Sequence, residues 1–230
     1  MDNKKDTGDS IEVIIYTDPL CCWSAALQPH INSLIENLDA AINIRYCLAG
    51  MIPDWNSFTD PLNSVIKPAQ MGPVWMEAKY ITNTEIDDSI WITDPPSSSF
   101  PPCIAIKTAG LQSKEAEVAM LLALREAVTK RGLNISKEAV LSKVAHELAV
   151  EFPTLFDVNQ FRKEYNQPAS RDALRKDMNE IKLHRITRFP TLIIKKKGYQ
   201  STMITGYRPY DVLLSAFSYL NSKQKVSSAT

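Results

Sequence analysis

Two short apolar runs with a helical pattern between them open the chain. Residues 11–16 are apolar and rich in β-branched side chains, which predicts a buried strand. From Cys22 to about Leu38 the apolar residues recur on one helical face, and Pro29 predicts a kink in that helix. Residues 42–48 alternate between apolar and other side chains, which predicts a second strand. A strand, a helix and a strand in this order predict a crossover unit with parallel strands.

The pattern changes after residue 50. Residues 51–102 are irregular and proline-rich, which predicts a loop-rich connection. Residues 103–186 have helical periodicity, which predicts an all-helical insertion. Four polar residues are predicted to begin its helices, namely Ser113, Ser136, Asp157 and Ser170.

A β pattern returns near the end of the chain. Residues 191–195 and 201–205 flank a Lys-Lys-Gly turn, which predicts an antiparallel hairpin followed by a last helix after Pro209. We therefore predict one α/β domain in two halves, residues 10–50 and 187–221, with tails at 1–9 and 222–230 disordered. An α/β sheet interrupted by helices between its two halves is the predicted architecture.

Composition excludes several classes of function. The chain has 26 basic and 26 acidic residues, so its balance of charge favours neither nucleic acid nor an anionic membrane as a partner. No apolar segment is long enough to span a membrane, and the charged start MDNKKDTGDS does not resemble a secretory signal. The four cysteines and three histidines lack metal-site spacing, so we expect no metal. Four cysteines are also too few for a disulfide framework, so we expect a reducing, cytoplasmic location.

The segment Asp18-Pro19-Leu20-Cys21-Cys22-Trp23-Ser24 is the main candidate for chemistry. It places Cys21 between a strand and the amino end of a helix. Unpaired backbone N–H groups and the positive end of the helix dipole favour a thiolate there, which is the reactive form of sulfur. We therefore expect Cys21 to be ionised at neutral pH.

This segment resembles the active-site motif of the disulfide-bond protein A (DsbA) family of thioredoxin-like oxidoreductases, especially its FrnE-like, protein-disulfide-isomerase branch. That family carries D-P-x-C-x-W-C at this point. Two further segments are similar to the family, Arg188-Phe189-Pro190-Thr191 and the run from Asp94 to Ala109. The resemblance covers about residues 11–220 and implies a thioredoxin-like fold with an all-helical insertion.

The resemblance also implies roles for individual residues. Cys21 would be the nucleophile, and the Phe189–Pro190 bond would be cis. The cis-proline loop of the family faces the active sulfur, so Phe189, Pro190 and Thr191 are candidates for binding an extended peptide, together with Trp23. The expected partners are protein or small-molecule thiols and disulfides. No cofactor is required, although glutathione is a candidate co-substrate.

Ser24 departs from the family pattern, which has a second cysteine at that position. A hydroxyl can hydrogen-bond to the Cys21 thiolate, but it cannot resolve a mixed disulfide. Three mechanisms stay open at this point. Cys21 acts as a monothiol that an external thiol releases, or Cys22 resolves it through a strained vicinal bridge, or the site has lost redox turnover and only binds.

Two other functions compete with thiol exchange. Residues 104–112 also resemble DsbA-like adaptors that deliver a transcription regulator to a protease, and such a protein needs no resolving thiol. Kappa-type glutathione transferases and 2-hydroxychromene-2-carboxylate isomerases share the insertion but usually have serine where Cys21 stands. Cys47 and Cys103 are interpreted as structural thiols, with an approach of Cys103 to Cys21 left open.

Overall fold

The computed structural model describes residues 10–38 and 42–222, so the tails predicted to be disordered lie outside the described residues, apart from residue 222. Four strands form one sheet in the order β2-β1-β3-β4. The strands are β1 (Ile11–Thr17), β2 (Ile42–Leu48), β3 (Thr191–Lys196) and β4 (Thr202–Thr205). β1 pairs with β2 in parallel and with β3 antiparallel, and β3 pairs antiparallel with β4.

Helices account for most of the remaining described chain. The first is α1 (Cys22–Asn37), which connects β1 to β2 and contains Pro29. Between β2 and β3 lie a short 3₁₀ turn (Pro68–Gln70), α2 (Met71–Thr82), α3 (Ile90–Thr93), α4 (Phe100–Gly110), α5 (Lys114–Thr129), α6 (Glu138–Glu151), α7 (Val158–Glu164) and α8 (Pro168–Leu183), and α9 (Tyr210–Ser222) follows β4. The predicted α/β class with helices between the two halves of the sheet is confirmed.

The central strand β1 is buried on both sides, as its apolar sequence predicts. Val13 and Ile15 face the main core, which also contains the apolar face of α1. Ile14 and Tyr16 face a smaller cluster that includes Ile181 of α8. The sheet therefore lies between α1 on one side and the last helix of the insertion on the other.

Two predicted boundaries differ from the structure. The helical region was expected from residue 103, but α4 begins at Phe100 with a proline in its first turn. Proline fits there because the first turn needs no N–H donor. The loop-rich connection therefore ends at Ser99, and it contains α2 and α3 as well as loops.

The predicted N-cap residues are confirmed for α5 and α7, where the side chain accepts a hydrogen bond from the first turn of the helix. Ser113 accepts from Ala116 N–H, and Asp157 accepts from the N–H groups of two residues in the first turn of α7. Ser136 was the wrong choice, because Lys137 precedes α6 and the Ser136 hydroxyl bonds to Asn134 instead. Ser170 lies inside α8, which begins at Pro168.

Among the described residues, no helix is both long enough and apolar enough to cross a bilayer. The same residues contain no group of three or more histidine, cysteine or acidic side chains placed to hold a metal ion.

Candidate active site

Cys21 lies at the amino end of α1, at the position that caps the helix. The Asp-Pro corner before it is closed by the Cys21 N–H, which donates to Asp18 O at 3.1 Å. The Cys21 carbonyl then accepts from the N–H groups of Ser24 and Ala25, both at 3.1 Å. The motif thus turns the chain directly from β1 into α1 with the sulfur at the junction.

The loop before β3 meets this sulfur. The Phe189–Pro190 peptide bond is cis. The Cys21 thiol donates to Phe189 O, with 3.6 Å between sulfur and oxygen. Pro190 and Thr191 are buried behind Phe189, and the Thr191 hydroxyl donates to Arg188 O at 2.8 Å. The structure therefore brings Cys21 and Phe189 together, while Pro190 and Thr191 support the loop from within.

A cleft of about 1020 Å³ opens over Cys21. Its wall comes from five segments: residues 20–23, residues 51–53, residues 57–63, one face of α2 and residues 186–189. Sequence reasoning identified the first segment and part of the last, but it missed the loop and the helix. The only local signal was the apolar pair Phe58 and Leu62 in an otherwise polar loop.

Burial governs the charge state of Cys21. Only 6% of the residue is exposed, and removal from water raises the pKa of its thiol above the ordinary value. The hydroxyl and backbone N–H of Ser24 favour the charged form of the thiol and oppose this rise, but they do not reverse it. The expectation of a thiolate at neutral pH is therefore wrong for the resting protein, because the loss of solvation outweighs the helix end.

Ser24 is 3% exposed, and its hydroxyl has no hydrogen-bond partner among the described residues in the resting geometry. The hydroxyl lies close enough to Cys21 to lower the pKa of that thiol by hydrogen bonding to its charged form. Ser24 can therefore stabilise a Cys21 thiolate when one forms, and it offers no second sulfur.

The other cysteines take separate environments, and all four are free thiols. Cys22 points to α2, where its thiol donates to Val74 O at 3.9 Å, and burial raises its pKa well above the ordinary value. Cys47 lies on the opposite face of the sheet, with its thiol 3.5 Å from Asp177 O. Cys103 is fully buried, and its sulfur lies 3.8 Å from Asp18 Oδ2.

Asp18 holds the corner together from inside the protein. It is fully buried, and its carboxylate accepts from Leu20 N–H at 2.9 Å and from Met51 N–H at 2.7 Å. Burial raises the pKa of Asp18 to about 6, although both backbone donors act in the opposite direction. A carboxyl that changes charge near neutral pH therefore lies three residues before Cys21.

Trp23 lies at the edge of the cleft and is half-buried. Its ring packs against Tyr207, with 6.0 Å between centroids, and the hydroxyl of Tyr207 bonds to His30 Nε2 at 2.9 Å. His30 is therefore part of the aromatic packing beside the cleft, where its ring contacts Tyr207.

Curated relatives and solved structures resemble this chain over most of its length. The ClpXP adapter protein SpxH of Halalkalibacterium halodurans is 27% identical over 215 residues, which is 92% of this chain and 68% of that protein. A candidate protein disulfide isomerase from Nitrosomonas europaea aligns with a TM-score of 0.76 at 18% identity, over 94% of this chain and 99% of that one.

A third similar protein is the cytosolic disulfide reductase DsbM of Pseudomonas aeruginosa, which aligns with a TM-score of 0.68 at 18% identity, over 91% of this chain and 99% of DsbM. DsbM has also been solved with GSH. These likenesses confirm the DsbA-like fold that the sequence resemblance implied. The family model described as thioredoxin matches residues 14–215, and the chain therefore belongs to the thioredoxin family.

Proposed function

We propose that this protein carries out thiol–disulfide exchange through Cys21 as a single reactive thiol. The observation that supports this most directly is the position of the Cys21 sulfur, 3.6 Å from Phe189 O at the floor of an open cleft. Ser24 occupies the helical position from which a second thiol would release the product. Cys22 does not replace it, because its thiol is directed to Val74 on α2.

The proposed reaction has two balanced steps. The Cys21 thiol loses its proton to solvent, and the thiolate attacks one sulfur of a disulfide, so that a mixed disulfide forms while the other sulfur leaves as a thiolate. A second thiol, from glutathione or from the substrate protein, then attacks the substrate sulfur of that mixed disulfide. The Cys21 thiolate leaves and takes up a proton. When the thiolate that leaves in the first step and the thiol that attacks in the second belong to the same substrate protein, the net result is isomerisation of its disulfides.

The walls of the cleft suit an extended thiol-bearing peptide. Phe189 presents its backbone beside the sulfur, and an extended segment can pair with such a backbone while its side chains occupy the cleft. Glutathione is a small peptide of this kind, and the GSH found with DsbM supports it as a co-substrate. A cytoplasmic setting for the reaction is supported by the description of DsbM as a cytosolic reductase.

Purified protein with oxidised glutathione provides the test. We expect glutathione to attach to Cys21, with a rate that increases with pH because burial raises the pKa of this thiol. Mass spectrometry of intact and digested protein would locate the adduct. Cys21→Ser should abolish it, whereas the matched variant Cys22→Ser should retain it. An unmodified Cys21 in reduced, folded protein at pH 9 would refute the proposal.

A non-catalytic adaptor is the second candidate, and two observations favour it. The SpxH relatives are described as adapter proteins, and the raised pKa of Cys21 leaves little thiolate at neutral pH. The same cleft would then hold a partner segment without forming a bond to sulfur. The two functions differ in one result: Cys21→Ser should leave partner binding intact in an adaptor, whereas it should prevent capture by a monothiol.

A further inference from the structure

One buried cation of the insertion, Arg125, contacts no anion within residues 10–38 and 42–222. Arg125 of α5 is 4% exposed. Its Nη2 donates to Thr17 Oγ1, and its Nη1 donates to Gln28 Oε1 at 2.9 Å. Both partners are neutral, Nε has no partner, and within the described parts of the chain no carboxylate forms an ion pair with this guanidinium.

Such an arrangement is costly. A guanidinium keeps its proton under all ordinary conditions, so burial does not neutralise it. A charge that is removed from water and bonded only to neutral groups must be compensated by negative charge farther away. Thr17 and Gln28 position the guanidinium, but as neutral groups they do not compensate its positive charge.

The partners also locate this charge beneath the active-site turn. Thr17 is the last residue of β1 and directly precedes Asp18, while Gln28 lies on α1, which Cys21 caps. The groups that can supply negative charge there are the Asp18 carboxylate and the Cys21 thiolate. In a region of low dielectric constant, a positive charge near both groups stabilises the ionised form of each.

We propose that Arg125 is the positioning residue that controls ionisation of the Cys21 thiol, and that Asp18 competes with Cys21 for its positive charge. This inference rests on the proposed chemistry of Cys21 and names the regulation of that site. An ionised Asp18 compensates Arg125 and repels a second negative charge. A neutral Asp18 leaves Arg125 available to the thiolate. The helical insertion thereby controls the reactivity of a cysteine in the other half of the fold.

The remaining titratable groups around the sulfur do not supply the same effect. Cys103 of α4 and Tyr46 of β2 are buried near Arg125 and carry no charge at neutral pH. Cys22 is directed to α2. On the cleft side, Glu77 and Arg188 are exposed, so solvent and salt screen them, and the half-buried Asp60 already accepts hydrogen bonds within its own loop.

The experiment measures alkylation of Cys21 by iodoacetamide as a function of pH in a Cys22→Ser background. Mass spectrometry of the digested protein separates Cys21 labelling from that of Cys47 and Cys103, which are also free thiols. Arg125→Gln should shift the profile upward by about one pKa unit or more, which is about tenfold slower labelling on the rising limb. Asp18→Asn should shift the profile downward by a similar amount. Arg125→Lys, which keeps the charge, should move it by less than half as much.

Arg45→Gln is the matched control, because it makes the same substitution at a partly exposed cation on the opposite face of the sheet and should leave the profile in place. A purely structural Arg125 would change the labelling rate equally at every pH, with no shift of the midpoint, and that result would overturn the inference. Should Arg125→Gln not fold, an unchanged profile for Asp18→Asn would overturn it equally. Alkylation needs no disulfide substrate, so failure of the proposed exchange reaction would appear separately, as missing glutathione adducts.

Discussion

Two buried cations of the helical insertion, Lys107 and Arg125, have opposite surroundings. Lys107 Nζ lies 2.5 Å from Glu117 Oε1 and 2.5 Å from Asp177 Oδ2. Burial alone would lower the pKa of Lys107, but the two carboxylates reverse the effect and raise it. Burial lowers the pKa of Arg125, and its more distant neighbours do not restore it.

The difference indicates that Lys107 stabilises the fold, whereas Arg125 acts on the electrostatics of the active site. Asp177 of α8 also accepts from the N–H of Leu48 at 2.8 Å, so the Lys107 cluster joins three insertion helices, α4, α5 and α8, to the end of β2. Its charges are compensated inside the cluster. Among the described neighbours of Arg125, Asp18 and Cys21 of the active-site turn are the groups able to supply compensating negative charge near neutral pH. Four predictions test this contrast, from the largest expected effect to the smallest.

Lys107→Met should destabilise the protein by about 3–5 kcal/mol, because it leaves the buried Asp177 and the half-buried Glu117 without their cation. The free energy of unfolding from urea titration measures this loss. If the variant unfolds within about 1 kcal/mol of the parent, the Lys107 cluster is not a structural junction.

Asp18 should make the protein less stable as pH rises through about 6. Its pKa is raised on folding from an ordinary value of 3.8, so the native state binds this proton more tightly than the unfolded state does. The resulting stabilisation is complete below the unfolded value and is lost as pH passes the folded value. It amounts to about 3 kcal/mol.

The measurement is the pH dependence of the difference in unfolding free energy between the parent and Asp18→Asn. This difference should change steadily between pH 4 and pH 6 and then level off. A flat difference over that interval would mean that the Asp18 carboxyl keeps its ordinary pKa in the folded protein.

Thr17→Val should destabilise the protein by about 2 kcal/mol, because it removes a neutral acceptor from a buried charged donor. The guanidinium itself remains in place, so the Cys21 alkylation profile should move far less than in Arg125→Gln. Urea unfolding and alkylation of the same sample test both parts. A profile that moves as far as in Arg125→Gln would show that the hydrogen bond, and not the charge, controls the thiol.

Glu180→Gln should cost less than about 1 kcal/mol, since its pairing with Arg45 is partly exposed to solvent. Arg45 Nη2 lies 2.6 Å from Glu180 Oε1 on the sheet face opposite the active site, with 40% and 25% of the two side chains exposed. This ion pair is the more exposed case with which the two buried cations are compared. A loss above about 2 kcal/mol would show that exposure is a poor guide to the value of these charges.

Much of the fold follows from local pattern. The alternation along β2, the apolar run of β1 and the cap at Ser113 depend on residues close in sequence, and the structure has all three. The cap predicted at Ser136 failed because Asn134, which also bonds to Asp94 and Pro95 across the fold, holds that hydroxyl. Tertiary contacts of this kind leave no mark in a periodic pattern.

The candidate site was predictable in its motif but not in its electrostatics. The sequence places Cys21 at a helix end, which favours a thiolate, yet the net effect depends on how completely helices of the insertion and the Phe189 loop exclude water. Arg125 resembles any polar residue of an amphipathic helix until α5 is placed beneath β1. The loop at residues 57–63 likewise becomes a candidate part of the site only when the structure shows that it lines the cleft.

The bond from the Cys21 thiol to Phe189 O has a consequence for the order of events during docking. That carbonyl is the acceptor that an arriving peptide N–H would use if it extended the loop as an added strand. The peptide N–H and the Cys21 thiol would thus compete for the Phe189 carbonyl oxygen, and the N–H, as the stronger donor, would displace the S–H. Peptide binding would therefore release the Cys21 sulfur from this hydrogen bond when a substrate disulfide is close to it.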